Sequence, residues 1–300
     1  MGNDVSSRKM MLRIGIGSRL AVVFKQFKEH KIAMVGAVII LFLVFVAIFA
    51  PYIAPHDPIE INLKERLLSP NSEYPLGTDN LGRCMLSRII YGTRVSLRIG
   101  IMVVGITSAL GIMLGMIAGY YGRILDEIIM RLVDIMLAFP GIILALAIAG
   151  ALGPGLFNVM LALAIVGWTG YARVVRGVVL SVKEKEYVES ARALGVGDWY
   201  IITRHILPSC VAPIIVLATL GMAYVILAAA ALSFLGLGAQ PPTPEWGSML
   251  NSGRSFMRTA PHLTTFPGLA IMIAVLAFNL LGDGLRDALD PRVSEKMIER

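Results

Sequence analysis

Charge is scarce in this chain. Only 16% of its 300 residues are charged while 56% are hydrophobic, and mean hydropathy is +0.74. A water-soluble domain carries about 25% charged residues, so the composition places the chain in lipid. Cysteine is nearly absent. Cys84 and Cys210, with no CxxC spacing, exclude a disulfide scaffold and suggest no redox or metal centre. The four histidines, His30, His56, His205 and His262, are too scattered to suggest a shared metal site, and His56 with Asp57 is too small a donor set to make one. No HExxH or GxSxG string is present, which removes the commonest hydrolase signatures. No glycine is followed by lysine, so the phosphate-cradling loop GxxxxGK is missing and the chain does not bind ATP in that manner.

The long apolar runs lack something too. Carriers driven by protons or sodium keep Asp, Glu or His inside their spans to bind the coupling ion. Here such residues stand only at the ends, as Asp134 does, while Arg98 lies just inside one run, where its stem can snorkel to the interface. Asn158, Thr169 and Asn279 are polar but cannot carry a proton cycle. A passive channel or secondary carrier, and a membrane scaffold or enzyme, are therefore the alternatives to a transport subunit energised by other chains.

Six apolar runs, at 33–53, 97–119, 135–152, 156–172, 211–235 and 266–282, predict an all-α membrane protein of about six transmembrane helices. The first run is read as an uncleaved helix, with processing near the small residues Ala47 and Ala50 as the alternative. Before it, Leu20, Val23, Phe24 and Phe27 recur at helical spacing with Lys25, Lys28, Glu29 and Lys31 turned elsewhere. That pattern predicts an amphipathic helix lying in the interface over 18–31.

Basic loops stay on the cytoplasmic side. With the amino terminus inside, the inner segments hold nineteen Lys and Arg and the outer segments seven, which predicts both termini in the cytoplasm. Cys84 then lies outside and Cys210 inside, beyond reach of a mutual disulfide. The chain divides into a cytoplasmic segment over 1–32, a first helix with its outer loop over 33–95, a membrane core over 96–284 and a cytoplasmic tail over 285–300. Two outer segments, 51–96 and 236–265, are long, and their prolines predict irregular backbone. Gly111, Gly115 and Gly119 give one helix face on which a neighbour can approach closely, and Pro140 predicts a kink in the third span.

The most informative stretch is the inner loop over 182–208, VKEKEYVESARALGVGDWYIITRHILP. Val188, Ala191 and Leu194 make an apolar stripe, with Glu186, Glu189 and Arg192 on the other face of a short helix. Gly195 suits the C-terminal cap, where positive φ is easiest for glycine. A second short segment, 198–207, is expected to end at Pro208.

ESARALG followed by HILP resembles the EAA loop of importer permeases of the ATP-binding-cassette superfamily. Glu189, Ala191, Gly195, Leu207 and Pro208 match its pattern, Ser190 replaces the middle alanine, and His205 stands where isoleucine is usual. PLGTDNLGRCMLSRIIYGTRVSL (75–97), LSFLGLGAQPPTPEWGSML (232–250) and LLGDGLRDALDPR (280–292) resemble the second permease of the dipeptide, oligopeptide and nickel group. The first string normally has Asp where this chain has Cys84, read as a tolerated exposed substitution.

The resemblance implies the fold of type I importer permeases in the cell membrane. It implies a paralogous permease as heterodimeric partner, two ATPase subunits that bind ATP and magnesium, an extracytoplasmic solute-binding protein, and surrounding lipid. Nucleic acid is not among the implied partners, and no cofactor is expected in this chain. The resemblance further implies that the loop docks on an ATPase, and that the solute is a peptide or a related small solute such as nickel. Gly77, Thr78, Asp79, Arg83 and Trp246 are the candidates for an outer gate or for contact with the binding protein.

Overall fold

The computed structural model describes residues 30–289. The interfacial helix expected over 18–31 falls almost wholly outside them, as does the tail beyond residue 289. Within them the long elements are α1 (Lys31–Ile53), α2 (Met85–Tyr121), α3 (Arg123–Leu137), α4 (Gly141–Leu152) and α5 (Leu156–Lys183). The short helices α6 (Glu186–Ala193) and α7 (Asp198–Ile201) lead through a π-helical stretch, Ile202–Ile206, into α8 (Leu207–Phe234). The helices α9 (Trp246–Gly253) and α10 (His262–Leu289) complete the described chain.

In lipid the outward face of a helix is as apolar as the inward one, so side-chain size marks the packed face. In α1 the buried positions are Ala33, Gly36, Leu43, Ala47 and Ala50, while Val38, Leu41, Phe42, Phe45 and Ile48 face outward. A methyl group on Gly36 would stand 2.8 Å from the carbonyl oxygen of Ala277 in α10, so the two backbones meet there.

The glycine face of α2 fixes the topology. Gly111 lies against Tyr171 and Ala172, Gly115 against Ala172 and Val175, and Gly119 against Val179, all in α5. Both numbers rise together, so α2 and α5 run parallel and the chain between them must recross the membrane. That return is made by α3 and α4, bent by 89° at their junction. Among the described residues five helices are long and apolar enough to span alone, and the bent pair supplies the sixth crossing. Twelve residues of α4 rise only about 18 Å, short of a hydrocarbon core of about 30 Å. The turn after α4 is tied to the outer side, where Gly155 N–H donates to the carbonyl of Leu237 at 2.9 Å.

Three expectations are corrected. The bend at Pro140 is a corner between two helices, not a kink within one, because a residue before proline is pushed out of helical conformation and Pro140 itself is extended, with ψ 119. The second span begins at Met85 and not near 97. Its outer turns carry Ser87, Arg88, Thr93 and Ser96, too polar for an apolar run, yet all four are buried against the outer loops. The segment 236–265 is not irregular throughout, since α9 forms directly after the prolines. Glu245 caps it, accepting from the N–H groups of Gly247 and Ser248, each at 2.8 Å.

Candidate functional site

On the inner side, α6 and α7 form a short hairpin at the root of α8. Val188 is fully buried, packed with Val179, Val182, Ile201 and Ile206 in a cluster that joins α5 to the hairpin. Ala191 is half-buried beside it. Leu194 departs from the expected stripe and is 83% exposed, because α6 ends at Ala193 and the chain turns away. The turn is made at Gly195, with φ +77, whose N–H donates to Arg192 while Val196 N–H donates to Ala191. These bonds satisfy carbonyls that the helix end leaves open.

Glu189, Ser190 and Gly195 are exposed along this hairpin, and the Ser190 hydroxyl donates to the Glu186 carbonyl at 2.7 Å. Tyr187, Leu194, Trp199 and Tyr200 are large apolar side chains that the hairpin leaves exposed on the inner side. Leu207 is half-buried and Pro208 exposed. Pro208 does not end the second segment as expected. The proline occupies the first turn of α8, where no N–H is needed, and the chain enters that helix through the π-helical stretch, in which Leu207 N–H donates five residues back to the Ile202 carbonyl.

The hairpin is fastened to the inner end of α2. The Tyr120 hydroxyl donates to Asp198 Oδ1 at 2.5 Å, the Arg192 guanidinium lies 5.6 Å from the centre of the Tyr120 ring, and Lys183 Nζ donates to the Gly119 carbonyl at 3.0 Å. Beside them Arg176 grips Asp126 through two nitrogens, at 2.5 and 2.6 Å, and Arg173 meets Asp134 at 2.7 Å, joining α5 to α3. Sequence reasoning missed Tyr120 and Asp198. They lie 78 residues apart, and nothing in the local pattern of either pairs them.

On the outer side, the residues 75–96 and α9 come together. Gly77, φ +76, packs so closely that a methyl group would stand 2.4 Å from the Leu68 carbonyl oxygen. Thr78 accepts from Leu68 N–H at 2.9 Å, donates to the Glu65 carbonyl, and its own carbonyl lies 3.2 Å from His262 Nε2. Asp79 binds the N–H groups of Leu81 and Arg83 through Oδ1 and the Arg83 Nε through Oδ2 at 2.7 Å. Trp246 lies on Gly92 and donates its indole N–H to the Ile89 carbonyl at 3.2 Å.

Thr78, Asp79, Arg83 and Trp246 are thus all buried. They frame the lip from within and do not form its surface. Cys84 is likewise buried, 2% exposed at the N-cap of α2, and so is not the exposed substitution expected. Its backbone pairs with Thr78, which draws the side chain under the lip. Both cysteines are free thiols.

Comparison with known proteins follows this geometry. Residues 111–295 match the family described as the binding-protein-dependent transport system inner membrane component. Residues 18–70 match the N-terminal transmembrane domain of oligopeptide transport permease C. A dipeptide transport system permease protein, DppC, of Alkalihalophilus pseudofirmus is 51% identical over 270 residues, 90% of this chain and 89% of that one. The DppC of Haemophilus influenzae is 48% identical over 90% of this chain and 93% of its own length. A glutathione transport system permease protein, GsiD, of Pectobacterium atrosepticum is 48% identical over 90% of each chain. Among solved structures, an amino acid ABC transporter shares the fold at a TM-score of 0.53 with 16% identity, covering 68% of this chain and 95% of that one.

Proposed function

From the premise that the chain belongs to the inner-membrane permeases of binding-protein-dependent transport systems, we propose that it is one of two permeases lining the path of a peptide importer. The observation that carries this reading is the α6–α7 hairpin. It is rooted by Val188 and the Tyr120–Asp198 bond yet presents Leu194, Trp199 and Tyr200 to water, an apolar surface that suits a partner. Rooted so, a push on the hairpin is delivered to α2, α5 and α8 together.

The family works with ATPase and solute-binding subunits. The finer composition proposed is one paralogous permease, two ATPases holding ATP and magnesium, and one extracytoplasmic binding protein. ATP binding closes the ATPases, Glu189 to Gly195 move with them, and the permease pair turns from inward- to outward-facing to receive solute. Hydrolysis resets the inward-facing state. A peptide solute is supported by the relatives that the chain resembles over 90% of its length, two named for dipeptides and one for glutathione.

At the outer face, Gly77, Thr78, Asp79, Arg83 and Trp246 hold the gate's shape, and contact with the binding protein falls to exposed lip residues such as Ile61 and Leu63. The test is to purify the tagged chain from its native membrane and reconstitute what accompanies it. Recovery of a second permease, ATPases and a binding protein, with peptide uptake requiring ATP, is the expected result. Uptake that proceeds without ATP or without a binding protein would overturn the assignment.

A further inference from the structure

Arg83 and Arg88 are each 5% exposed. Among the described residues only Asp79 lies within ion-pair reach of either, its Oδ2 2.7 Å from Arg83 Nε and 3.6 Å from Arg88 Nε. Two guanidiniums face one carboxylate, so one positive charge is left over in a buried place. The other oxygen of Asp79 is already taken by two backbone N–H groups. Arg88 Nη1 donates to the Pro58 carbonyl at 2.9 Å, a neutral acceptor. Glu245 spends both carboxylate oxygens on capping α9 and forms no ion pair with either arginine.

A guanidinium carries five N–H donors. Hydrogen bonds among the described residues use the Nε of Arg83 and Nη1 of Arg88, leaving most of the fork of each open. Both arginines line a cavity of about 100 Å³ whose other walls include Gln240, Ser248, Asn251 and Ser252. Gln240, Ser248 and Ser252 already donate to backbone carbonyls, but the hydroxyl of Ser233, also in the wall, is buried without a partner among the described residues and converges with the Asn251 amide on the surplus charge. At roughly 30 Å³ per water, the space holds a small anion with one or two waters and is too small for a peptide.

We propose that this cavity binds one small monovalent anion, of the halide or carboxylate kind, between Arg83 and Arg88 on the lip, Ser233 at the end of α8 and Asn251 on α9. The anion neutralises the surplus charge and locks the lip to α9. Desolvated charge is costly without a counter-ion, and the anion supplies the one that the described residues lack.

The full chain in lipid nanodiscs tests it. Sodium chloride and sodium acetate are titrated against sodium morpholinoethanesulfonate, a monovalent anion too large for the cavity, at constant ionic strength. Chloride and acetate each raise the unfolding midpoint saturably, by about 3 °C at ten times the dissociation constant, and acetate displaces chloride in chloride-35 line-broadening measurements. Asn251→Asp places a tethered carboxylate in the cavity, and this folded variant loses the chloride response. Midpoints that follow ionic strength alone, or an Asn251→Asp chain that still responds to chloride, would overturn the proposal.

Discussion

Gly195→Arg separates docking from folding. At φ +77 any L-residue costs about 1–2 kcal/mol, but a Cβ placed there meets nothing within 4 Å, so no packing is disturbed. The hairpin is held elsewhere, through Val188, Ile201 and Ile206 and the Tyr120–Asp198 bond, none of which the substitution touches. The variant therefore reaches the membrane at normal levels. Its new side chain stands exposed next to Leu194 in the chain, on the hairpin proposed as the ATPase docking surface. Losing one central contact of an interface costs about 2 kcal/mol or more, which is roughly 30-fold in affinity. ATP-dependent peptide uptake in vesicles falls accordingly, while the amount of chain in the membrane does not. Gly195→Ala carries the same φ cost without the bulk and keeps most uptake. Normal uptake by Gly195→Arg, or its loss from the membrane, would refute the reasoning.

Gly111→Ala brings a methyl group within 2.3 Å of Tyr171 Cβ and 2.8 Å of the Trp168 carbonyl, whereas at Gly105 it meets nothing. Titration with a denaturing detergent should show Gly111→Ala destabilised by about 1–3 kcal/mol and Gly105→Ala stabilised by up to about 1 kcal/mol through helix propensity. Asp79→Ala leaves two buried guanidiniums without a carboxylate, a loss of about 3–5 kcal/mol visible as aggregation on fluorescence-detected size exclusion. Burial holds the Glu245 carboxyl above its ordinary pKa despite the N–H groups of Gly247 and Ser248. A raised carboxyl pKa adds stability below the unfolded value of about 4.3, and that stability is lost as pH rises through the folded value. The unfolding midpoint should fall across that window, and Glu245→Gln should flatten the fall.

Much of the fold was legible because membrane helices announce themselves by apolar length alone. What length could not show was where polar helix continues beyond the lipid. The outer turns of α2, from Met85 to Ser96, are helical because Arg88 reaches the Pro58 carbonyl and Trp246 the Ile89 carbonyl, across 30 and 157 residues. No local period carries such partners. The glycines of α2 were legible as a packing face, but their partner was not. Only the rising register against Tyr171, Val175 and Val179 shows a parallel neighbour, and hence that the broken α3–α4 pair crosses the membrane.

The two candidate sites differ in how a sequence records them. The inner hairpin is partly a short-range object: Gly195 and the cap bonds to Ala191 and Arg192 are local, so the string announces them, whereas Val188 is buried by Val179, Ile201 and Ile206 of neighbouring elements. Its connection to the spans is long-range, made by Tyr120 to Asp198 and by Arg192 over Tyr120, and no string announces it. On the outer lip the same motif residues are conspicuous in the string yet buried in the fold. Motif strength there marks a frame, with Thr78 and Asp79 each tying backbone to side chain, and says little about which surface a partner touches. A hairpin whose roots are shared with α2, α5 and α8 suits the proposed coupling, because a partner that moves it would move three helices together.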